Sequence, residues 1–218
     1  MTISFHPDDA TLMSYAAGAL GQPFAIVVAS HLEGCPACRR EFAAMRALGG
    51  VMLEAAPAEP VGSDAFDRLL ARLQRPEAEV GTPERVCAPV DLPQPLARLI
   101  GGGIGAVPWR EALPGAETYR IAFPIARGAQ SLRFLRAIPG REIPEHAHAG
   151  AELTMVLSGA LRDGERLYQA GDVGDLDDAT THNPVVVGDE PCVCVIAEDG
   201  PPKFTSPEMQ AMLSRLGL

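Results

Sequence analysis

The chain has 218 residues, 47 % hydrophobic and 21 % charged, with a formal net charge of −10; this is a globular balance, long enough for one large domain or two small ones. So acidic a protein is a poor ligand for nucleic acid, whose phosphates need a cationic surface, although it can mask a basic protein. No run approaches the ~18 uninterrupted apolar residues of a membrane span, and the start, MTISFHPDDATLMSY, lacks the basic end and apolar centre of an export signal, so a cytoplasmic location is expected.

Four helices are predicted first. HPDDATLMSYAAGALG opens with Pro7 and two aspartates, which suit a helix N-terminus, and should stop at Gly21. PFAIVVASHLEG follows from Pro23 to Gly34. PACRREFAAMRALGGVMLEAA sets Phe42, Met45, Leu48 and Met52 at helical spacing. SDAFDRLLARLQR, with Ser63 as its N-cap, stacks Phe66, Leu69, Leu70 and Leu73 on one face.

Composition then changes. Residues 76–95 are rich in proline and hold little periodicity, so they read as a linker carrying a lone thiol, Cys87. From residue 96 the period becomes strand-like: ETYRIAFPI, SLRFLRAIP, ELTMVLSGAL, ERLYQAGDV, NPVVVG and PCVCVIAE are short apolar or alternating runs separated by Gly, Pro and Asp. Many short strands with turns between them predict a sandwich or barrel. SPEMQAMLSRLGL suits a closing helix capped by Ser206. There is no internal repeat. The expected architecture is two domains: an all-α bundle over 1–75, then an all-β barrel over 96–218.

The five histidines and five cysteines carry the chemistry. His31, Cys35 and Cys38 form H-x3-C-x2-C. Positions three and four apart share a helix face, so one imidazole and two thiolates can converge on one ion, and zinc favours this sulfur–nitrogen mixture. His6, just before the first helix, is the best fourth ligand, with Glu33, Glu41 or water as alternatives. The competing reading is two buried thiols beside a chance histidine. An odd cysteine count in a chain without an export signal favours metal or redox chemistry over a disulfide framework.

Over residues 1–75 these features resemble the zinc-binding anti-sigma domain of bacterial regulators, a short helical bundle with an upstream histidine followed by H-x3-C-x2-C. HLEGCPAC matches that motif without gaps. The resemblance implies structural zinc on His6, His31, Cys35 and Cys38, and a helical unit that clamps an alternative sigma factor.

The second cluster lies in GREIPEHAHAGAELTMVLSG. Strand side chains alternate, so His146, His148 and Glu152, at even offsets, can look into one cavity. His182 is the remaining histidine and can add a fourth ligand from another strand. Three imidazoles and a carboxylate suit divalent zinc, manganese, iron or nickel, and ligand type alone does not choose. A solvated polar face is the alternative. The stretch also resembles the cupin family, whose first signature, G-x5-H-x-H-x3-E-x6-G, is met by Gly140, His146, His148, Glu152 and Gly159. The second is met by Gly171 and His182, with Asp177, Ala179 and Val186 departing from it. This implies a small barrel with one metal in its mouth, expected here to be zinc. Cys192 and Cys194 fall on one side of a strand, as core residues or as a redox pair.

A zinc anti-sigma domain followed by a cupin resembles the ChrR group of anti-sigma factors across nearly the whole chain. That resemblance implies a negative regulator of transcription, not an enzyme, which holds an extracytoplasmic-function sigma factor. Release would follow singlet oxygen or organic hydroperoxide sensed through the cupin. Met45, Leu48, Met52, Leu69 and Leu73 are candidate sigma contacts, although a core within the bundle also accounts for them. The rival class is a metal-dependent cupin oxygenase or isomerase with a helical dimerisation appendage. Direct binding to DNA or membrane is not expected.

Overall fold

A computed structural model describes residues 2–74, 91–121, 123 and 130–215. Most of the expected linker, with Cys87, lies outside the described residues.

Helix α1 (Asp9–Ala16) begins where Asp8 Oδ1 accepts a hydrogen bond from Thr11 N at 2.6 Å. It ends earlier than Gly21, because Gly18 adopts φ +69 and turns the chain out of helix. Helix α2 (Gln22–Gly34) starts with Pro23 in its first turn, and α3 (Pro36–Ala55) starts with Pro36, so only Cys35, in extended backbone, separates them. Helix α4 (Ala65–Leu73) has Asp64, not Ser63, at its N-cap position. Helix α5 (Gln94–Ile100) stands where the sequence suggested the end of a linker and the start of the barrel region. Its prolines hide it: Pro95 occupies the first turn, where a missing N–H costs nothing, and Gly101 at φ +76 closes it.

The strands are β1 (Arg110–Leu113), β2 (Ala116–Ile121), β3 (Ser131–Ala137), β4 (His146–Ala147), β5 (Glu152–Ser158), β6 (Ala160–Asp163), β7 (Arg166–Gln169), β8 (Val173–Leu176), β9 (Thr181–His182), β10 (Val185–Val187), β11 (Cys192–Glu198) and β12 (Lys203–Phe204). They form one six-stranded antiparallel sheet, β1-β2-β3-β11-β5-β8, and two three-stranded ones, β10-β6-β7 and β12-β4-β9. The run ELTMVLSGAL divides at Gly159, φ +72, where a Cβ would lie 2.5 Å from the Pro191 carbonyl oxygen. No side chain fits there, so the cupin-signature glycine is a steric requirement. Helix α6 (Pro207–Arg215) closes the chain, and Ser206 Oγ accepts from Met209 N as expected of a cap.

Strand alternation sorts the large sheet into two faces. Leu132, Phe134, Leu153, Met155, Val195 and Ala197 point outwards and join Leu12, Phe24, Val27, Val28 and Leu96 in one core. Cys192, Cys194, Ile196 and Val156 point inwards with Tyr168, Leu161 and Val186. Helical and strand layers therefore share a hydrophobic core. Each fully buried Val, Leu or Phe contributes about 1.5–3 kcal/mol. An exposed ion pair such as Arg68–Asp64 adds about 0–1 kcal/mol, so apolar burial decides how the layers sit.

The N-terminal segment straps the layers together. Phe5 O accepts from Val173 N at 3.1 Å, and the Phe5 ring packs on Tyr168 with centroids 4.5 Å apart.

Two candidate metal centres

The first centre forms where α2 hands over to α3. His31 and Cys35 are one helical turn apart, with Cys35 N donating to His31 O at 3.0 Å. Cys38 lies one turn into α3, and its amide approaches Cys35 Sγ at 3.4 Å. His6 arrives from the strap. His31, 0 % exposed, has Nδ1 2.9 Å from the Gly171 carbonyl oxygen. That nitrogen therefore carries the proton, and the Nε2 lone pair faces inward. Nε2 stands 3.3 Å from Cys38 Sγ and 3.4 Å from His6 Nδ1, which is itself 3.4 Å from both sulfurs.

Zinc bonded to two nitrogens and two sulfurs has tetrahedral edges of roughly 3.3 Å between nitrogens and roughly 3.5 Å between nitrogen and sulfur. The nitrogen–nitrogen pair and three of the nitrogen–sulfur pairs stand at that spacing, and all four donors lie within 4.8 Å of one another. Glu33, an alternative ligand, is engaged elsewhere, accepting from Gln94 N at 2.9 Å. In the metal-free chain, burial lowers His31, which keeps it neutral as a ligand must be. Burial and the adjacent Cys35 thiol push Cys38 up to about 12. A dication reverses that preference, since two thiolates cancel its charge and two neutral imidazoles complete the shell.

The second centre lies in the barrel. His146 and His182 are cross-strand partners on β4 and β9, with their Nε2 atoms 3.2 Å apart. Each ring is held from behind: His146 Nδ1 donates to the Pro144 carbonyl and His182 Nδ1 to Asp163 Oδ2, both at 2.8 Å. Two Nε2 lone pairs so close repel each other unless a proton or a cation lies between them. His148 Nδ1 is 3.2 Å from Glu152 Oε2. His148 Nε2 is buried without a hydrogen-bond partner, which is costly for an empty site and ordinary for a metal site.

The three imidazoles form one group within 4.8 Å, and Glu152 stands beside it, paired with His148. The chain between them is not one continuous strand as the even spacing suggested. It leaves β4 after Ala147 and bends through Ala149 and Gly150 before β5 begins at Glu152. Burial, then the neighbouring His182, lowers His146 to about 4. Burial opposes charge on Glu152, but the hydrogen bond from His148 prevails and holds it at about 2. Burial likewise opposes charge on His148, and Glu152 overrides it to raise that imidazole. Nearby Glu198 is committed to Arg133 at 3.3 Å and to Ser131 Oγ.

A groove of about 810 Å³, lined by the N-cap Asp8, by Thr11 of α1 and by Asp163, Asp175 and Thr181 of the barrel, opens on His182. Cys192 and Cys194 are buried on the inward face of β11, with sulfurs 3.6 Å apart. The Cys192 contact, then burial, raises Cys194, so Cys194 stays a thiol at neutral pH. Tyr168 lines a small cavity beside His182, whereas Trp109 lies on the opposite face of the sheet, against Phe134.

Of the candidate partner contacts, Leu48, Met52, Leu69 and Leu73 are more than half exposed, whereas Met45 is half-buried against the shared core. Val51, Leu53 and Phe66 extend the exposed set. Sequence reasoning did not single out Asp163, Gly171 or Asp172 as supports of the ligands, because they reach the imidazoles and the strap only through folding.

Residues 100–200 match the family described as the ChrR Cupin-like domain. The chain is 36 % identical over 207 residues to the anti-sigma-E factor ChrR of Cereibacter sphaeroides, a match that covers 94 % of each protein. It also superposes, with TM-score 0.77 and 33 % identity, on a chain from the crystal structure of Rhodobacter sphaeroides SigE in complex with the anti-sigma ChrR. That match covers 91 % of this chain and 100 % of the other.

Proposed function

The chain belongs to the ChrR family of anti-sigma factors, and from that premise we propose that its helical layer sequesters an extracytoplasmic-function sigma factor until oxidative chemistry in the barrel releases it. It is a regulator of transcription, and its partner is a protein. One observation carries the reading. The second half of α3 and all of α4 bear Leu48, Val51, Met52, Leu53, Phe66, Leu69 and Leu73, each more than half exposed, and no residue of α4 is buried. An apolar face of that size is unstable in water and fits a groove on a partner.

The functional division follows the chain: residues 1–75 hold the partner, residues 76–95 connect, and residues 96–218 sense. Zinc on His6, His31, Cys35 and Cys38 fixes the α2–α3 elbow from which the partner-binding helices project. A second divalent ion, zinc in our reading, with manganese, iron or nickel as the other ions its ligands suit, sits on His146, His148 and His182. Glu152, the carboxylate paired with His148, completes that set. Cys192 and Cys194 lie on the same inner face and supply oxidisable sulfur. Release requires the oxidised barrel to favour a conformation that binds sigma less well. No helix among the described residues is long and apolar enough to cross a membrane, and the site of action we assign is the cytoplasm, where sigma factors work.

The test is co-expression with an extracytoplasmic-function sigma factor from the same organism, followed by purification and metal analysis. A stable one-to-one complex with two transition ions per chain is expected, and a fragment ending near residue 85 should still inhibit. Failure to copurify, or a fragment without inhibitory activity, overturns the assignment.

A further inference from the structure

Three donors of the first centre come from α2, α3 and the residue between them, and the fourth from the N-terminal strap, but what holds His31 and the strap belongs to the barrel. The turn between β7 and β8 presents the Gly171 carbonyl to His31 Nδ1 at 2.9 Å. The next residue, Asp172, is only 2 % exposed. Its Oδ1 accepts from Ser4 N at 2.7 Å and Phe5 N at 3.0 Å, and its Oδ2 accepts from Gln169 N at 2.8 Å. His6 follows Phe5 directly. One ring and the backbone that delivers the other are thus both set from across the layer boundary. Gly171 sits at φ +96, and a Cβ there would come within 2.9 Å of Ile3, so the carbonyl's direction depends on a backbone conformation only glycine takes readily.

We propose that the turn of residues 169–173 is a built part of the N-terminal metal centre, with Asp172 as its positioning residue. Ion affinity at His6, His31, Cys35 and Cys38 and the seating of the N-terminal strap on the barrel then form one coupled equilibrium. The inference rests on the reading that those four residues hold zinc. Hydrogen bonds behind metal ligands fix ring orientation and tautomer, and their loss lowers affinity about 10–100-fold. Linkage is reciprocal: what loosens the strap weakens the ion, and losing the ion loosens the strap.

The experiment loads the full-length chain with Co²⁺, whose thiolate charge-transfer band reports the first centre alone, since the barrel donors are nitrogen and oxygen. Asp172→Ala should weaken the thiolate-bound ion by about 10–100-fold in chelator competition, with Asp172→Asn, which keeps one acceptor oxygen, in between. Glu117→Ala, which removes an ion-pair partner of Arg136 far from either centre, should leave the band unchanged, as should the barrel ion in every variant. Amide exchange at Ser4, Phe5 and Val173 should accelerate when zinc is stripped from the wild type. A folded Asp172→Ala with wild-type cobalt affinity overturns the proposal, as does equal weakening at both centres, which marks general destabilisation. If that variant does not fold, Asp172→Asn and the exchange measurement decide in the same way. A wild-type chain with no thiolate–cobalt band removes the zinc reading, and this inference with it.

Discussion

Replacing Leu69 and Leu73 by serine separates partner binding from folding. Leu73 is 72 % exposed and Leu69 53 % exposed, so most of the about 1.5–3 kcal/mol that a leucine gains on full burial is still unspent in the free chain. Scaling by exposure leaves about 1–2 kcal/mol each, and about 2–4 kcal/mol for the pair if the two add. At about 1.4 kcal/mol per decade, the double variant should bind its sigma factor roughly 30- to 1,000-fold more weakly in titration calorimetry. Folding should hardly notice, because surface changes of this kind stay within about 0.5 kcal/mol and the melting temperature should hold. Met45→Ala should show the reverse pattern, a lower melting temperature with lesser change in affinity, because Met45 packs against the shared core. Unchanged affinity in a stable double variant would refute the docking face. A melting temperature several degrees lower would place these leucines in a core instead.

Phe134, fully buried where helices and sheet meet, should cost about 3–5 kcal/mol on truncation to alanine. Because the core is shared, far-ultraviolet circular dichroism and the fluorescence of Trp109, which packs against Phe134, should report one coincident unfolding transition. Two separated transitions would contradict this. Asp163→Asn removes the carboxylate behind His182 and should weaken the barrel ion about 10–100-fold while sparing the thiolate site; chelator competition followed by metal analysis checks this. In the metal-free chain, His146 is held at about 4 against an ordinary 6.5, so the unfolded state takes up a proton that the folded state refuses. Its contribution to stability is present above pH 6.5 and is lost as pH falls towards 4, by roughly 3 kcal/mol. Urea unfolding of the chelated His146→Gln variant should lose that much less on acidification, and an identical loss would show that burial of this imidazole is not the cause.

Much of this was legible from local signals. The H-x3-C-x2-C run marked the elbow between α2 and α3 because ligand spacing and helical pitch coincide there. Gly140, His146, His148 and Gly159 marked the barrel mouth through turn and ligand chemistry together. Helix α5 was hidden because Pro95 reads as a breaker yet sits where a helix tolerates proline. Glu152 was read as a ligand by strand parity, which does not survive the bend at Ala149 and Gly150. The sharing of one core between helices and sheet had no local signature at all: alternation in β3 and β11 says that both faces are covered, but not by what. Asp172 was illegible for the same reason, since its partners lie about 170 residues away in the chain.

The wall formed by Leu132, Phe134, Leu153, Met155 and Val195 has a bearing on how the partner can be let go. Peeling the helices from the barrel would wet that wall and the aliphatic ridge of α2 together, at a cost of the order of 10 kcal/mol, beyond what one oxidised side chain readily supplies. Freedom must come instead from movements that leave the seam dry: a pivot at the α2–α3 elbow, or unfastening of the first few residues. A protease that cut the helices away would strand a sticky barrel, prone to clump and be cleared, so that such a cut would act once and could not be undone.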